Sequence, residues 1–284
     1  MNTHLRHYLD SFTLRKEFWT VFLIDLIFFG GIAIIFSRFG QYLQSTSATL
    51  MAGRTPEEIQ QLLATAPEQA LPFLEQLKSF LLLSFGSIIL LVVLAFLLFS
   101  LEQAWIWNYL RKKKVTTKTY WRWNVLHVGL LIPLLIYGLG AGILKLLTSA
   151  LFRVLANISP TLYFNHAAVI DSIVLILNNA VSFFLILFFL VVLYLIYYVF
   201  TEKYKVLVSI QDAFVLVKIH WSSWWRMILL MVLTAVVLTA ILIPLRNWLL
   251  IYPLWNSLLN LIISFLFLGW TRMYVLSTLH HGHQ

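Results

Sequence analysis

The chain has 284 residues, 61% of them hydrophobic and only 11% charged. A soluble domain carries about 25% charged residues, and a compact soluble body has too little interior to hide so much apolar surface. A net charge of +9 would suggest nucleic acid in a soluble protein, but among long apolar runs it reads as cytoplasmic loop charge, and no nucleic-acid partner is expected. The absence of cysteine excludes disulfides, thiolate metal sites and cysteine nucleophiles.

The chain opens with seventeen mostly polar residues, in which Leu5, Tyr8, Leu9 and Phe12 fall at helical spacing. This predicts an amphipathic helix lying on the cytoplasmic leaflet. The apolar run that follows, Phe18 to Phe36, is too long for a signal-peptide core and reads as the first membrane span. Asp25 lies within it, six residues past Trp19 and so roughly 9 Å deeper. The outer segment 37–79 follows. Thr55, Pro56 and Glu58 supply an N-cap, a first-turn proline and a capping glutamate ahead of the stripe Ile59, Leu62, Leu63 and Ala66. Pro67 interrupts, and Leu71, Leu74 and Leu77 begin a second stripe, so two short amphipathic helices are expected here.

The second span covers Phe80 to Leu101. A basic loop comes next, with Arg111, Lys112, Lys113, Lys114, Lys118 and Arg122 beside Trp105, Trp107, Trp121 and Trp123. These six cations are expected to contact anionic lipid headgroups on the cytoplasmic side. The third span, Val125 to Leu147, contains Pro133, which should kink it, and the pair Gly138 and Gly142 in G-x-x-x-G, which permits close helix approach. Leu147, Leu151, Val154, Leu155 and Ile158 predict an interfacial stretch after it. Lys145 and Asp171 are expected to pair near the outer face. The fourth span, Ile173 to Phe200, carries Asn178 and Asn179 and exceeds the roughly 20 residues a bilayer needs.

In the loop 201–226, Ile210, Ala213, Phe214 and Val217 predict a second interfacial helix, with Ser209 and Asp212 at capping-box spacing. Met227 to Leu245 and Leu254 to Tyr274 are the fifth and sixth spans, the last holding Asn256, Asn260 and Arg272. Fourteen of the twenty lysines and arginines fall on the side holding both termini, which places those termini in the cytoplasm. A Lys-x-x-Trp pair recurs before each inward-entering span, at Lys16 and Trp19, Lys118 and Trp121, and Lys218 and Trp221. Lysine reaches up to headgroups while the indole sits at the interface, so the pairs read as anchors. They divide a single membrane domain into three hairpins, approximately 1–110, 111–205 and 206–284.

Charge inside hydrocarbon needs a reason. Asp25 and Arg272, with Asn178 and Asn179, form a candidate intramembrane polar site, either a proton or cation site or a set of packing bonds between helices. The tail histidines His4, His7, His280, His281 and His283 read as solvated. There is no H-E-x-x-H, no partnered G-x-S-x-G and no paired carboxylate within the spans, so no catalytic residue, cofactor or metal is expected.

The stretch VSIQDAFVLVKIHWSSWWRMILLMVLTAVV, 208–237, resembles the helix-then-span element of six-span membrane proteins, including the membrane domain that precedes some glycerophosphodiester phosphodiesterases. The resemblance implies a six-span helical module. The 284 residues leave no room for the phosphodiesterase domain, so that activity is not expected. Mitochondrial carriers share the threefold length, but their proline–acid–basic signature after each odd span is missing. The expected protein is all-α: a polytopic integral membrane bundle of six transmembrane helices in three hairpins, with amphipathic interfacial helices. Its expected role is a non-catalytic module organising membrane lipids or partner proteins, a second copy of the chain included. The alternative is a small-molecule or lipid transporter using Asp25 and the kinked third span.

Overall fold

A computed structural model of the chain describes residues 8, 11, 16–51, 55–65, 67–158, 160–249 and 251–281; at several positions within 56–70, 151–171, 253–254 and 280–281 only the backbone is described. These residues form α1 (Lys16–Met51), α2 (Pro56–Thr65), α3 (Pro67–Leu110), α4 (Thr117–Ile158), α5 (Pro160–Lys203), α6 (Val206–Ile219), α7 (Trp221–Leu249) and α8 (Pro253–His281). Six stretches are long and apolar enough to cross a bilayer: Lys16–Met51, Leu71–Leu110, Thr117–Ala150, Ser172–Lys203, Trp221–Leu249 and Trp255–Leu279. Hydrocarbon cannot bond free backbone groups, so a helix, which bonds its own, is the form such stretches take. The chain is a multi-pass helical membrane protein.

The helices outrun the spans read from hydropathy. α3 and α5 have 44 residues and α4 has 42. At 1.5 Å per residue each is about 60 Å or more, twice a hydrocarbon core of about 30 Å. The interfacial stretch expected after the third span is therefore the C-terminal end of α4 itself. Of the two short helices expected in 37–79, only α2 stands alone; residues 37–51 prolong α1, and Leu71, Leu74 and Leu77 belong to α3, which runs on through Pro72.

Packing divides the chain into two compact units, residues 23–103 and residues 1–22 with 104–284, the division falling inside α1 and inside α3. In the first unit the capping box at α2 forms as the spacing predicts. Glu58 N–H donates to Thr55 Oγ1 at 3.2 Å and Thr55 N–H to Glu58 Oε2 at 2.9 Å, with Pro56 opening the helix. Glu57, Glu58, Gln60 and Gln61 are exposed; the side chains of the apolar stripe lie outside the described ones. Leu81 to Leu83, Phe85, Ile88 to Leu90, Val92 and Val93 of α3 face outward on all sides, as a span bathed in lipid does.

In the second unit α5 is the central element and packs on α4, α6, α7 and α8. Its half from Leu187 to Thr201 is largely buried. α6 buries Ser209, Ala213 and Val217, one per turn, chiefly against α5. Gly129 of α4 lets it close in: a Cβ there would lie 3.1 Å from Val206 Cγ1. The four apolar residues read as one stripe do not share a buried face: Phe214 is exposed while Ala213 and Val217 are buried, and Leu207, Val208, Val215 and Ile219 face outward together with Gln211 and Lys218. The capping-box reading is corrected. Ser209 sits inside the helix and donates to Lys205 O at 2.7 Å, while Asp212 pairs with Lys203 at 2.5 Å. The N-cap is Lys205, which makes no side-chain cap bond.

Candidate functional site

The basic loop is built from two left-handed turns. α3 ends on Lys112 at φ 53°, whose N–H reaches Tyr109 O at 3.0 Å while Lys113 N–H reaches Asn108 O at 2.8 Å. That is a Schellman ending with lysine where glycine is usual. α5 ends on Tyr204 at φ 50°, with its N–H on Phe200 O at 2.7 Å. The turns are tied together, because Tyr204 Oη donates to Asn108 Oδ1 at 2.5 Å and Asn108 Nδ2 donates to Ala104 O at 2.7 Å. Burial pushes the Tyr204 hydroxyl above the ordinary tyrosine range, against the opposing pull of Arg122. Beneath lies an aromatic core. Trp107 and Trp123 are fully buried, each with its ring against Tyr197, and Tyr197 Oη lies 2.9 Å from His127 Nε2.

The six cations expected on lipid headgroups divide in two. Arg111 forms an ion pair with Glu202 and lies 4.4 Å over the Tyr198 ring. Lys113 donates to Thr201 O at 2.6 Å and lies 5.5 Å over the Tyr204 ring, and Arg122 stacks over the same ring at 5.9 Å. Lys112, Lys114 and Lys118 are exposed, and their side chains make no hydrogen bond or ion pair to a described residue. The loop closes on a second reciprocal cap, with Thr116 N–H on Thr119 Oγ1 at 2.7 Å and Thr119 N–H on Thr116 Oγ1 at 3.3 Å.

The intramembrane polar residues lie apart from this loop. Asn178 bridges α5 to α4: Thr148 Oγ1 donates to its Oδ1 at 2.9 Å and its Nδ2 donates to Ser149 Oγ at 3.1 Å. Its neighbour Asn179 is exposed. Arg272 on α8 is buried, with its guanidinium 5.3 Å over the Tyr194 ring. Asp25 on α1, in the other unit, is buried. Asn260 Nδ2 and Asn256 Oδ1 are 3.4 Å apart along α8. Lys145 is exposed, while the side chain of its expected partner Asp171 and those of the histidine tails lie outside the described ones.

The anchors Lys16, Trp19, Lys118, Trp121, Lys218 and Trp221 are all exposed. The first two pairs lie at helix starts, but the third spans a break, with Lys218 near the end of α6 and Trp221 opening α7. Trp221 stacks on Trp225 at 6.4 Å. Among the described residues the close approach expected at Gly138 and Gly142 is not made, for none of them lies within 4 Å of a Cβ at either position.

Sequence reasoning missed the groove between α7 and α8. Leu238, Leu242, Ile263, Leu266 and Phe267 line a space of about 470 Å³ together with Phe18 and Trp19. Its rim is polar: Tyr8 Oη and Thr234 Oγ1 are 2.7 Å apart, and Trp270 Nε1 donates to Ser11 Oγ at 3.0 Å. Tyr8, expected on the leaflet surface, thus docks between these helices, edge-on to the rings of Trp270 and Tyr274. No local signal announces a bond across 226 positions. A second space of about 490 Å³ lies by the α7–α8 connection, between Trp248, Tyr252, Trp255, Leu258 and Ile262.

The fold and these sites define a polytopic helical membrane protein. No family model, no curated protein and no solved structure matches the chain.

Proposed function

We propose that the protein is a non-catalytic membrane module that holds lipids against its helices, with both termini and the basic loop in the cytoplasm. One observation carries this reading. Several polar side chains within the spans of α4, α5, α7 and α8 bond across segments, as at Asn178, Thr234 and Trp270, while the open spaces beside α7 and α8 are lined chiefly by apolar side chains. Hydrogen bonds of this kind fix packing at about 1 kcal/mol each, and an apolar groove with a polar rim fits an acyl chain ending in an ester or headgroup. A second reading, a transporter, draws on the burial of Asp25 and Arg272, since buried charges mark ion pathways in many membrane proteins.

Purification in mild detergent followed by native mass spectrometry tests the first reading. Bound phospholipid should persist on the intact chain, and vesicles holding the protein should pass protons, cations and small solutes no faster than empty ones. A solute flux abolished by Asp25→Asn at unchanged melting temperature would establish the transporter instead.

A further inference from the structure

We infer that Lys112, Lys114 and Lys118 form a preorganised site for the anionic headgroups of the bilayer the chain spans, and that Arg111, Lys113 and Arg122 serve the fold. The inference rests on the lipid-holding reading and names the lipid class and the side chains.

Charge complementarity and fixed geometry support it together. The two acids described on the loops at 111–122 and 201–218 are committed, Glu202 to Arg111 and Asp212 to Lys203. Neither is available to neutralise Lys112, Lys114 and Lys118. The loop itself is held at both ends, by the Schellman bonds at Lys112 and Lys113 and by the Thr116–Thr119 cap. Lys113, Lys112 and Lys114 are all exposed, but the Lys113 ammonium is held by Thr201 O while no bond to a described residue holds those on either side of it. A cation presented by a rigid backbone loses less conformational freedom on meeting a phosphate than one on a floppy tail. Trp105, Tyr109 and Trp121, each exposed on the flanking helices, supply the amphipathic rings that sit at headgroup level. A phosphodiester headgroup bearing net negative charge, such as phosphatidylglycerol, suits three ammonium groups with no competing carboxylate.

The experiment separates placement from mere charge count. The full-length protein is offered an equimolar mixture of phosphatidylglycerol and phosphatidylcholine, and the bound ratio is read by native mass spectrometry beside the melting temperature. Two triple variants each remove three charges. In Lys112→Gln, Lys114→Gln, Lys118→Gln the preference for phosphatidylglycerol should fall about fivefold or more, one lysine at a membrane surface being worth roughly that factor, with melting unchanged. In Arg111→Gln, Lys113→Gln, Arg122→Gln melting should fall while the molecules that remain folded keep their preference. The triple Lys→Arg variant at 112, 114 and 118 should behave as wild type. Equal loss of preference in both glutamine variants, or none in the first, overturns the assignment, as does displacement of the lipid by millimolar inorganic phosphate. Loss of all bound lipid from the wild type would instead sink the lipid-holding reading beneath it.

Discussion

The hydroxyl of Tyr204 donates to Asn108 Oδ1, and Asn108 is fully buried. Tyr204→Phe leaves that carbonyl oxygen without its donor and should cost about 1–3 kcal/mol, the usual penalty for an orphaned buried polar group. The bond also predicts a pH dependence. Burial raises the Tyr204 pKa, so the folded chain keeps a proton that an unfolded chain loses near pH 10. The contribution is whole below about pH 10 and fades as pH rises through the higher folded value. Melting curves of wild type and Tyr204→Phe should differ at pH 8 and converge above pH 10; a gap that stays constant through pH 11 would refute the coupling. At this scale the sequence was legible only where partners are near neighbours. Thr55 and Glu58 sit three apart and cap as read, whereas Tyr8 and Thr234 could not be paired in advance. The basic loop looked uniform because composition reports charge and not partners; the three cations bonded to the fold differ from the other three only in what lies opposite.

At the scale of elements, hydropathy located the six spans but not the helix ends. It reports the solvent around a segment, and backbone bonding continues past the point where that solvent changes. Residues 37–51 read as the start of the outer segment for this reason, yet they are the last turns of α1. The glycines give the sharpest element-level test. Gly129 meets Val206 across the α4–α6 contact, whereas Gly138 and Gly142 have open space around them. Gly129→Leu should force α6 from its seat and cost about 1–3 kcal/mol, as overpacking does. Gly138→Ala and Gly142→Ala should be neutral or stabilising by up to about 1 kcal/mol each, since only helix propensity changes. Thermal melting in one detergent compares them directly. Loss of stability at 138 or 142 equal to that at 129 would mean that the G-x-x-x-G face does meet a helix, in a second copy if not in this one.

For the whole molecule, the hydropathic window of α5 is 56% buried, while those of α3 and α4 are 0% buried. The mean hydropathy of α5, 2.8, lies between the 3.0 of α3 and the 2.1 of α4, so apolarity alone could not say which span is wrapped in protein; the concentration of Tyr194, Tyr197, Tyr198 and Thr201 in α5 is the trace that could have. Sidedness is open to direct measurement because the native chain has no cysteine. Lys114→Cys should react with a membrane-impermeant maleimide only from the cytoplasmic side, and Asn247→Cys, exposed near the far end of α7, only from the opposite side. Labelling of both from one side would overturn the topology.

The bond between Tyr204 and Asn108 joins the tail of α3 to the tail of α5, two points 96 positions apart in the chain. Neither helix end can fray without releasing the other. The amides around 108–113 and 200–209 should therefore exchange with deuterium as one cooperative patch, opening together at a single free energy, and a molecule lacking the Tyr204 hydroxyl should show that patch split in two.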